Sequence, residues 1–356
     1  MKAAPKAADF FAGCGLATEG LKGIFDVVWA NDIDLNKAEA YRANHGTSHF
    51  YHAPIETFES ESVPHHDLSW ASFPCQDLSL AGKGLGIKAQ RSGTVWEWLR
   101  IIDGLRFRPR VVVAENVLGL LTGNKGANYK SLHDSLGALG YKCGALVINA
   151  KRWVPQSRVR VFVVGVQQSV DTSEYELQDA DWGHPTAVQR LADRHSDFVL
   201  WKLPLPKAQG KSLESVIDFS EPVDIEEKRD RNLALITDAH WGKIRKAEQG
   251  GSKVFTGYKR IRGGEQRLEI RTDGIAGCLR TPSGGSSRQH VLIPSPTGYQ
   301  TRLLSIGEAA RLMGARRTYK FPGSYNDGYK ALGDAVAVPV VRHLAKHLLA
   351  PLLTGK

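Results

Sequence analysis

The chain is expected to have an α/β fold, a doubly wound parallel sheet joined to a second, smaller domain. Three observations point there. Short apolar, β-branched runs alternate with helix-length segments as far as Val166, which is the signature of strands linked by right-handed helical crossovers. From Gln167 the alternation fails, and the next stretch is rich in Gly, Pro, Arg and Ser. At 356 residues the chain also exceeds the size at which a single core stops growing.

The expected strands are Ala8 to Phe11, Asp26 to Asn31, Asp67 to Phe73, Val111 to Glu115, Tyr141 to Asn149 and Arg160 to Val166. Helical patterns occupy Leu35 to Asn44, Thr94 to Leu105 and Asn128 to Leu139, with another beginning near Ala17. Beyond Gln167, short β-like pieces at Val254 to Ile261 and Leu268 to Arg271 suit a small irregular domain. A helix-period pattern follows at Ile306 to Met313, and Gly333 to Leu349 reads as an apolar closing helix containing Pro339. So apolar a helix needs a core to cover it, and the sheet of the first domain offers one. The divisions drawn are 1–166, 167–300 and 301–356.

Composition narrows the chemistry. The formal net charge is +10, and residues 243 to 290 carry eleven Lys/Arg against four Asp/Glu, a net of +7. Such a window suits a polyanionic partner, because cations that neutralise phosphates gain affinity by counterion release. Cys14, Cys75, Cys143 and Cys278 lie far apart, without a CxxC pair or Cys/His ligand spacing, so no metal site is expected. The sparse cysteines, with no signal peptide and no apolar run of spanning length, suggest a reducing cytoplasm.

Three motifs fall at the carboxyl ends of predicted strands, where doubly wound sheets bind ligands, and a fourth, Gln156 to Arg160, immediately precedes a strand. Phe73-Pro74-Cys75-Gln76 places a thiol on the sheet rim, where it can react. An isolated cysteine is more often a small buried hydrophobe, so the reading depends on its neighbours. Asp9 to Gly15 is a Gly-containing strand-to-helix turn that lets backbone approach a ligand, although it lacks the full GxGxxG. Nineteen residues after Gly13, Asp32 ends the second strand where a carboxylate can hold ribose hydroxyls, and Ile33 can cover an adenine face. A Gly-rich turn beside a solvated Asp is the plainer alternative.

Glu115-Asn116-Val117 closes the strand from Val111, so Glu115 is expected to be partly buried at the rim and raised in pKa by desolvation. A carboxyl that keeps or shares a proton can donate to a ring nitrogen; capping a neighbouring helix is the alternative. In Gln156-Ser157-Arg158-Val159-Arg160, extended backbone points Arg158 and Arg160 the same way. The pair suits an oxygen, a phosphate or rim carboxylates.

In this order the motifs resemble those of the cytosine carbon-5 DNA methyltransferase family, from Asp9 nearly to the end of the chain. Arg302 to Gly314 and Gly328 to Val341 are similar to that family's two closing motifs. The resemblance implies a Rossmann-like methyltransferase domain that uses S-adenosylmethionine, with a smaller, irregular, β-rich target-recognition domain at about 167–300. It implies Cys75 as the nucleophile toward carbon 6 of a flipped-out cytosine, and Glu115 on the ring nitrogen and exocyclic amine. Arg160 takes the base carbonyl oxygen, with Arg158 a second candidate for the same region.

For the cofactor the resemblance implies Phe11, Gly13, Cys14, Gly15, Asp32, Ile33, Ile55, Pro74, Val95, Asp334 and Val336. For DNA it implies Gln76, Ser79, Lys83 and Arg91 in a closing loop, and Arg262, Arg280, Ser283 and Arg288 in the recognition domain. The expected partner is double-stranded DNA. A monomer is expected, acting near the prokaryotic nucleoid, and a cognate restriction endonuclease acting on the same site is a candidate partner. Two departures stand out: Ala53-Pro54-Ile55 replaces the family's common Gly-Asp-Ile, and Asp334 stands where many members have Asn. The tRNA methyltransferases sharing the catalytic domain carry a Cys-Phe-Thr signature in the smaller domain, which is absent here.

Overall fold

A computed structural model of the chain describes residues 3–74, 93–207, 211–281 and 287–355. The elements run, in chain order, β1 (Lys6–Phe10), α1 (Leu16–Leu21), β2 (Asp26–Asp32), α2 (Leu35–His45), β3 (Phe50–His52), β4 (Leu68–Ala71), α3 (Thr94–Gly104) and β5 (Val111–Asn116). Then come α4 (Gly119–Thr122), α5 (Ala127–Ala138), β6 (Tyr141–Asn149), β7 (Val159–Gln167), α6 (Thr186–Ala192), α7 (Glu226–Ala234) and α8 (Asp238–Gln249). The last are β8 (Phe255–Arg262), β9 (Glu265–Arg271), β10 (Gln289–Ser295), β11 (Gly298–Leu303), α9 (Ile306–Leu312), α10 (Tyr325–Asp334), α11 (Val338–Leu344) and α12 (Ala350–Thr354).

The chain forms two compact units. The first comprises Met1–Ile148, Val159–Pro206 and Val340–Lys356; the second comprises Asn149–Arg158 and Lys207–Pro339.

In the first unit a seven-stranded sheet has the order β3-β2-β1-β4-β5-β7-β6. The pairs β1–β2, β2–β3, β1–β4 and β4–β5 are parallel. β7 corrects the expectation of an all-parallel sheet: it runs antiparallel to β5, with Glu115 opposite Phe162. Residues 150–158, which link the neighbouring strands β6 and β7, are too few for the crossover of about a dozen or more residues that a parallel pair requires.

Burial follows the strand sequences. All six residues of β5 are buried, as expected for a run covered on both faces. α3 buries Val95, Trp98, Leu99, Ile101 and Ile102 along one stripe, and the Trp98 indole N–H donates to Ser69 Oγ on β4 at 2.9 Å. The order reverses direction between β1 and β4, so the crevice for a ligand lies beyond the carboxyl ends of those two strands.

The expected closing helix is shorter at its start. Residues Gly333 and Asp334 end α10, and the apolar helix begins at Val338 with Pro339 in its first turn, where a missing N–H costs nothing. Arg110 Nη1 donates to Leu353 O on α12 at 3.0 Å, tying the helix to the start of β5. Tyr325–Thr354 has the length and apolarity of a membrane span, but 61% of its most apolar window is buried inside the protein.

The second unit contains an antiparallel sheet of order β11-β10-β8-β9. Ile236, Ile244, Phe255, Leu268, Ile270 and Leu292 form its core under α7 and α8. A buried two-pronged ion pair, Arg302 Nη2 to Glu308 Oε1 at 2.6 Å and Nη1 to Oε2 at 2.7 Å, joins the end of β11 to α9. Glu308 also completes a capping box with Ser305.

Candidate active site

The carboxyl ends of β1, β4 and β5 bring three of the four motifs together. After β4, Ser72 N–H donates to Phe10 O at 3.2 Å, and the Asn116 side-chain amide donates to Phe73 O at 2.9 Å. Phe73 is buried and Pro74 exposed, so the chain emerges from the rim at Pro74. Asn116 also accepts from Val117 N–H at 2.8 Å. Nothing in the sequence marks Asn116 apart from its motif, yet it fastens Phe73 of one motif to the strand end of another. Cys75, Gln76, Ser79, Lys83, Arg91 and Ser283 lie outside the described residues.

Glu115 is 4% exposed, and its Oε1 lies 3.2 Å from Arg160 Nε, a side chain that is itself 13% exposed. The pair follows from register, because antiparallel β7 carries Arg160 past the end of β5. A guanidinium so close compensates a buried carboxylate that burial alone would disfavour. Arg160 Nη1 also donates to Val159 O at 2.8 Å.

Arg158 does not share that partner, which corrects the reading of two arginines aimed at one locus. It is 1% exposed within the second unit. Its Nη1 donates to Leu279 O at 3.0 Å and Cys278 Sγ at 3.3 Å; its Nη2 donates to Gly333 O at 2.9 Å and to Ala335 O. Gln156, fully buried, reinforces the same junction through Leu312 O at 2.8 Å and Leu279 N–H at 3.1 Å. Gly333 is required there, since a Cβ would lie 2.6 Å from main-chain atoms of Arg280 and Thr281. Arg158 therefore ties loops together, and a β-strand parity argument cannot distinguish that from a ligand contact.

The turn after β1 has the geometry of a ligand cradle. Phe11 adopts φ 56°, a left-handed conformation that bulky residues rarely take, and its N–H donates to Asn31 Oδ1 at 3.3 Å. Gly13 N–H donates to Asp32 Oδ2 at 2.9 Å, and Asp34 N–H to Asp32 Oδ1 at 2.8 Å. Gly15 has φ 85°, and a Cβ there would lie 2.6 Å from the His45 ring. Cys14 is fully buried.

Each Asp32 oxygen retains a second lone pair after these bonds, so the carboxylate can still accept from vicinal hydroxyls. Burial holds its pKa above the ordinary carboxylate value, with Lys37 opposing the shift. Ile33 beside it is 66% exposed, an apolar face of the kind a flat ring covers. These residues fit a nucleoside-bearing cofactor. Ile55 and Val95, also expected to contact it, are 3% and 1% exposed and belong to the apolar core. Asn31 Nδ2 donates to Ala53 O at 3.4 Å, and Pro54 leads into a short 3-10 turn, Ile55–Thr57.

Below the cradle lies Asp9, which sequence reasoning placed in the motif without a role. It is fully buried; Oδ2 accepts from Thr18 Oγ1 at 2.7 Å, and Thr18 Oγ1 lies 3.1 Å from Tyr41 Oη. Burial raises its pKa to about 7, against the Thr18 hydrogen bonds and with help from Asp32. The signal for it was a lone carboxylate inside the apolar run Ala7-Ala8-Asp9-Phe10.

In the second unit Asp334 accepts from Thr281 Oγ1, and Val336 is buried. The proposed DNA arginines have local partners. Arg262 makes a two-pronged bond to Glu269, at 2.6 and 3.1 Å. Arg288 Nη2 donates to Asn326 Oδ1 at 2.6 Å, and exposed Arg280 lies 6.0 Å from the Tyr258 ring centroid.

Comparison with known proteins identifies the family. The model of the family described as C-5 cytosine-specific DNA methylase matches residues 6–350. Among curated relatives, the Type II methyltransferase M1.ScrFI of Lactococcus lactis subsp. cremoris is 29% identical over 358 residues, covering 99% of this chain and 79% of the relative. The Type II methyltransferase M.NlaX of Neisseria lactamica is 29% identical over 353 residues, covering 98% and 97%. Among solved structures, the S. pombe Dnmt2 methyltransferase aligns over 99% of both chains with a TM-score of 0.63 at 16% identity, a likeness of fold.

Proposed function

The chain belongs to the C-5 cytosine-specific DNA methylase family and is by that membership a DNA (cytosine-5-)-methyltransferase, and on that premise we propose how its residues carry the reaction. Its substrate is a cytosine flipped out of a specific duplex sequence, since the ring atoms are inaccessible within the stack. The Cys75 thiolate attacks carbon 6 and forms a covalent adduct. Glu115 accepts from the exocyclic amine and shares a proton with the ring nitrogen, donating to it as negative charge builds on the ring after addition. Arg160 holds the Glu115 carboxylate through Nε and directs the outer part of its guanidinium toward the base carbonyl oxygen.

S-adenosylmethionine supplies the electrophilic methyl group that carbon 5 accepts. Asp32 would hold its ribose hydroxyls, Ile33 its adenine face, and the backbone of Phe11 to Gly15 its amino-acid portion. Transfer of the carbon-5 proton to water and cleavage of the carbon 6–sulfur bond then restore the aromatic ring and release Cys75 as thiolate. Because the relatives are Type II methyltransferases, the enzyme is read as the modification half of a restriction-modification pair, with the basic second unit choosing the site on DNA.

The observation that carries this reading is the buried Glu115–Arg160 pair at the carboxyl edge, with Asn116 bonded to the backbone one residue before Pro74. Incubating the enzyme with duplex DNA and S-adenosylmethionine, then bisulfite sequencing, tests it. Protected cytosines within one recurring sequence support the reading, and DNA converted throughout contradicts it.

A further inference from the structure

In the first unit, His133, His195 and Asp197 converge although 62 positions separate the two histidines; one donor atom from each lies within 4.8 Å of the others. His133 projects from α5 and is 3% exposed, and its Nε2 is buried with no hydrogen-bond partner. A buried ring nitrogen left unsatisfied is costly, so it calls for an explanation. Asp197 Oδ1 is 3.7 Å away, too far for a hydrogen bond. That separation is close to the spacing of two ligands on one tetrahedral ion, about 3.4 Å for bonds of about 2.0–2.1 Å.

The third donor is positioned by backbone. α6 ends at Ala192, His195 N–H continues its last turn onto Leu191 O at 3.1 Å, and Phe198 N–H closes a turn onto His195 O at 3.0 Å. Val199 N–H then bonds Cys143 O at 2.9 Å, anchoring the segment to β6. The His133 and His195 rings have centroids 4.5 Å apart and are tilted by 36°, so they converge without a parallel stack.

We propose that His133, His195 and Asp197 form a binding site for a divalent transition-metal ion of the zinc class, clamping α5 to the turn after α6. Two imidazoles and one carboxylate are the donors such ions take, whereas magnesium and calcium require mainly oxygen. The ion bonds the buried Nε2 and bridges the gap to Asp197, and water completes its coordination at the exposed side. Spacing in the sequence offers only the pair His195 and Asp197, because His133 lies 62 positions before His195.

Cobalt(II), added alone to the metal-stripped full chain, is the probe, with zinc as competitor. The expected result is one equivalent bound with visible d–d absorption, displaced by zinc, and zinc raising the thermal midpoint. His195→Ala and the exposed Asp197→Asn should each weaken binding by about 100-fold or more, the loss of a direct ligand exceeding that of an outer partner. His347→Ala tests a competing pair on the last helices, His343 and His347, whose ring centroids are 4.6 Å apart. Absence of stoichiometric binding overturns the proposal. So does binding retained by either variant, lost only in His347→Ala, or marked by a thiolate charge-transfer band.

Discussion

In the proposed mechanism Glu115 and Arg160 divide the labour of one buried site: Glu115 supplies hydrogen bonding to the base, and the guanidinium makes a carboxylate there tolerable away from water. Glu115→Gln keeps the shape while losing the charge, and should lower turnover by ~100-fold or more with little change in thermal midpoint. An unchanged rate in a methyl-transfer assay would reassign the residue. Asp9 makes a separate prediction about pH. Its folded pKa, about 7, lies above the unfolded value of 3.8, so the native state binds the extra proton. Its contribution to stability is full below the unfolded value and is lost as pH rises through 7. Asp9→Asn should therefore gain thermal midpoint relative to wild type at pH 8 compared with pH 5; a difference constant with pH would contradict this. The sequence could place Glu115 at a strand end, but not show that Arg160 meets it while Arg158 meets carbonyls, since both have the same parity.

Elements were legible where burial on two faces imposes β-branched runs. β5 reads directly from Val111-Val112-Val113, and β6 and the helix stripe of α3 are equally direct. β3 was missed because three residues carry no periodicity, and the reversed direction of β7 depends on the short link before it. The Gln156–Arg158 segment was legible as a motif but not as a junction, since its partners lie more than a hundred residues away. Arg158→Ala should destabilise the fold by about 3 kcal/mol, because it leaves several buried carbonyls without their charged donor. Arg160→Ala also costs stability, because it strands the buried Glu115 carboxylate, but it should in addition slow methyl transfer in the fraction that stays folded. Equal rates per folded molecule for the two variants would refute the distinction.

Across the whole molecule the net charge is +10, and several arginines of the basic stretch 243–290 already have acidic partners. In the β8–β9 hairpin Arg262, Arg267 and Arg271 pair with Glu269, Glu265 and Asp273. Exposed pairs of this kind are worth little and can exchange for phosphates. DNA affinity should therefore fall steeply and log-linearly with salt, and a flat response in a titration between about 50 and 200 mM salt would argue against phosphate neutralisation. Which arginine reads which base was not legible, because base contacts depend on loop geometry and on the deformability of the duplex. The central claim is that Cys75 attacks the cytosine ring, and covalent trapping tests it most directly. Duplex DNA carrying 5-fluorocytosine at the target site, incubated with enzyme and S-adenosylmethionine, should give an adduct stable on a denaturing gel, since fluorine cannot leave as the carbon-5 proton does. Wild type is predicted to form it and Cys75→Ala to form none; an active wild-type preparation without adduct, or an adduct retained by Cys75→Ala, would contradict the account.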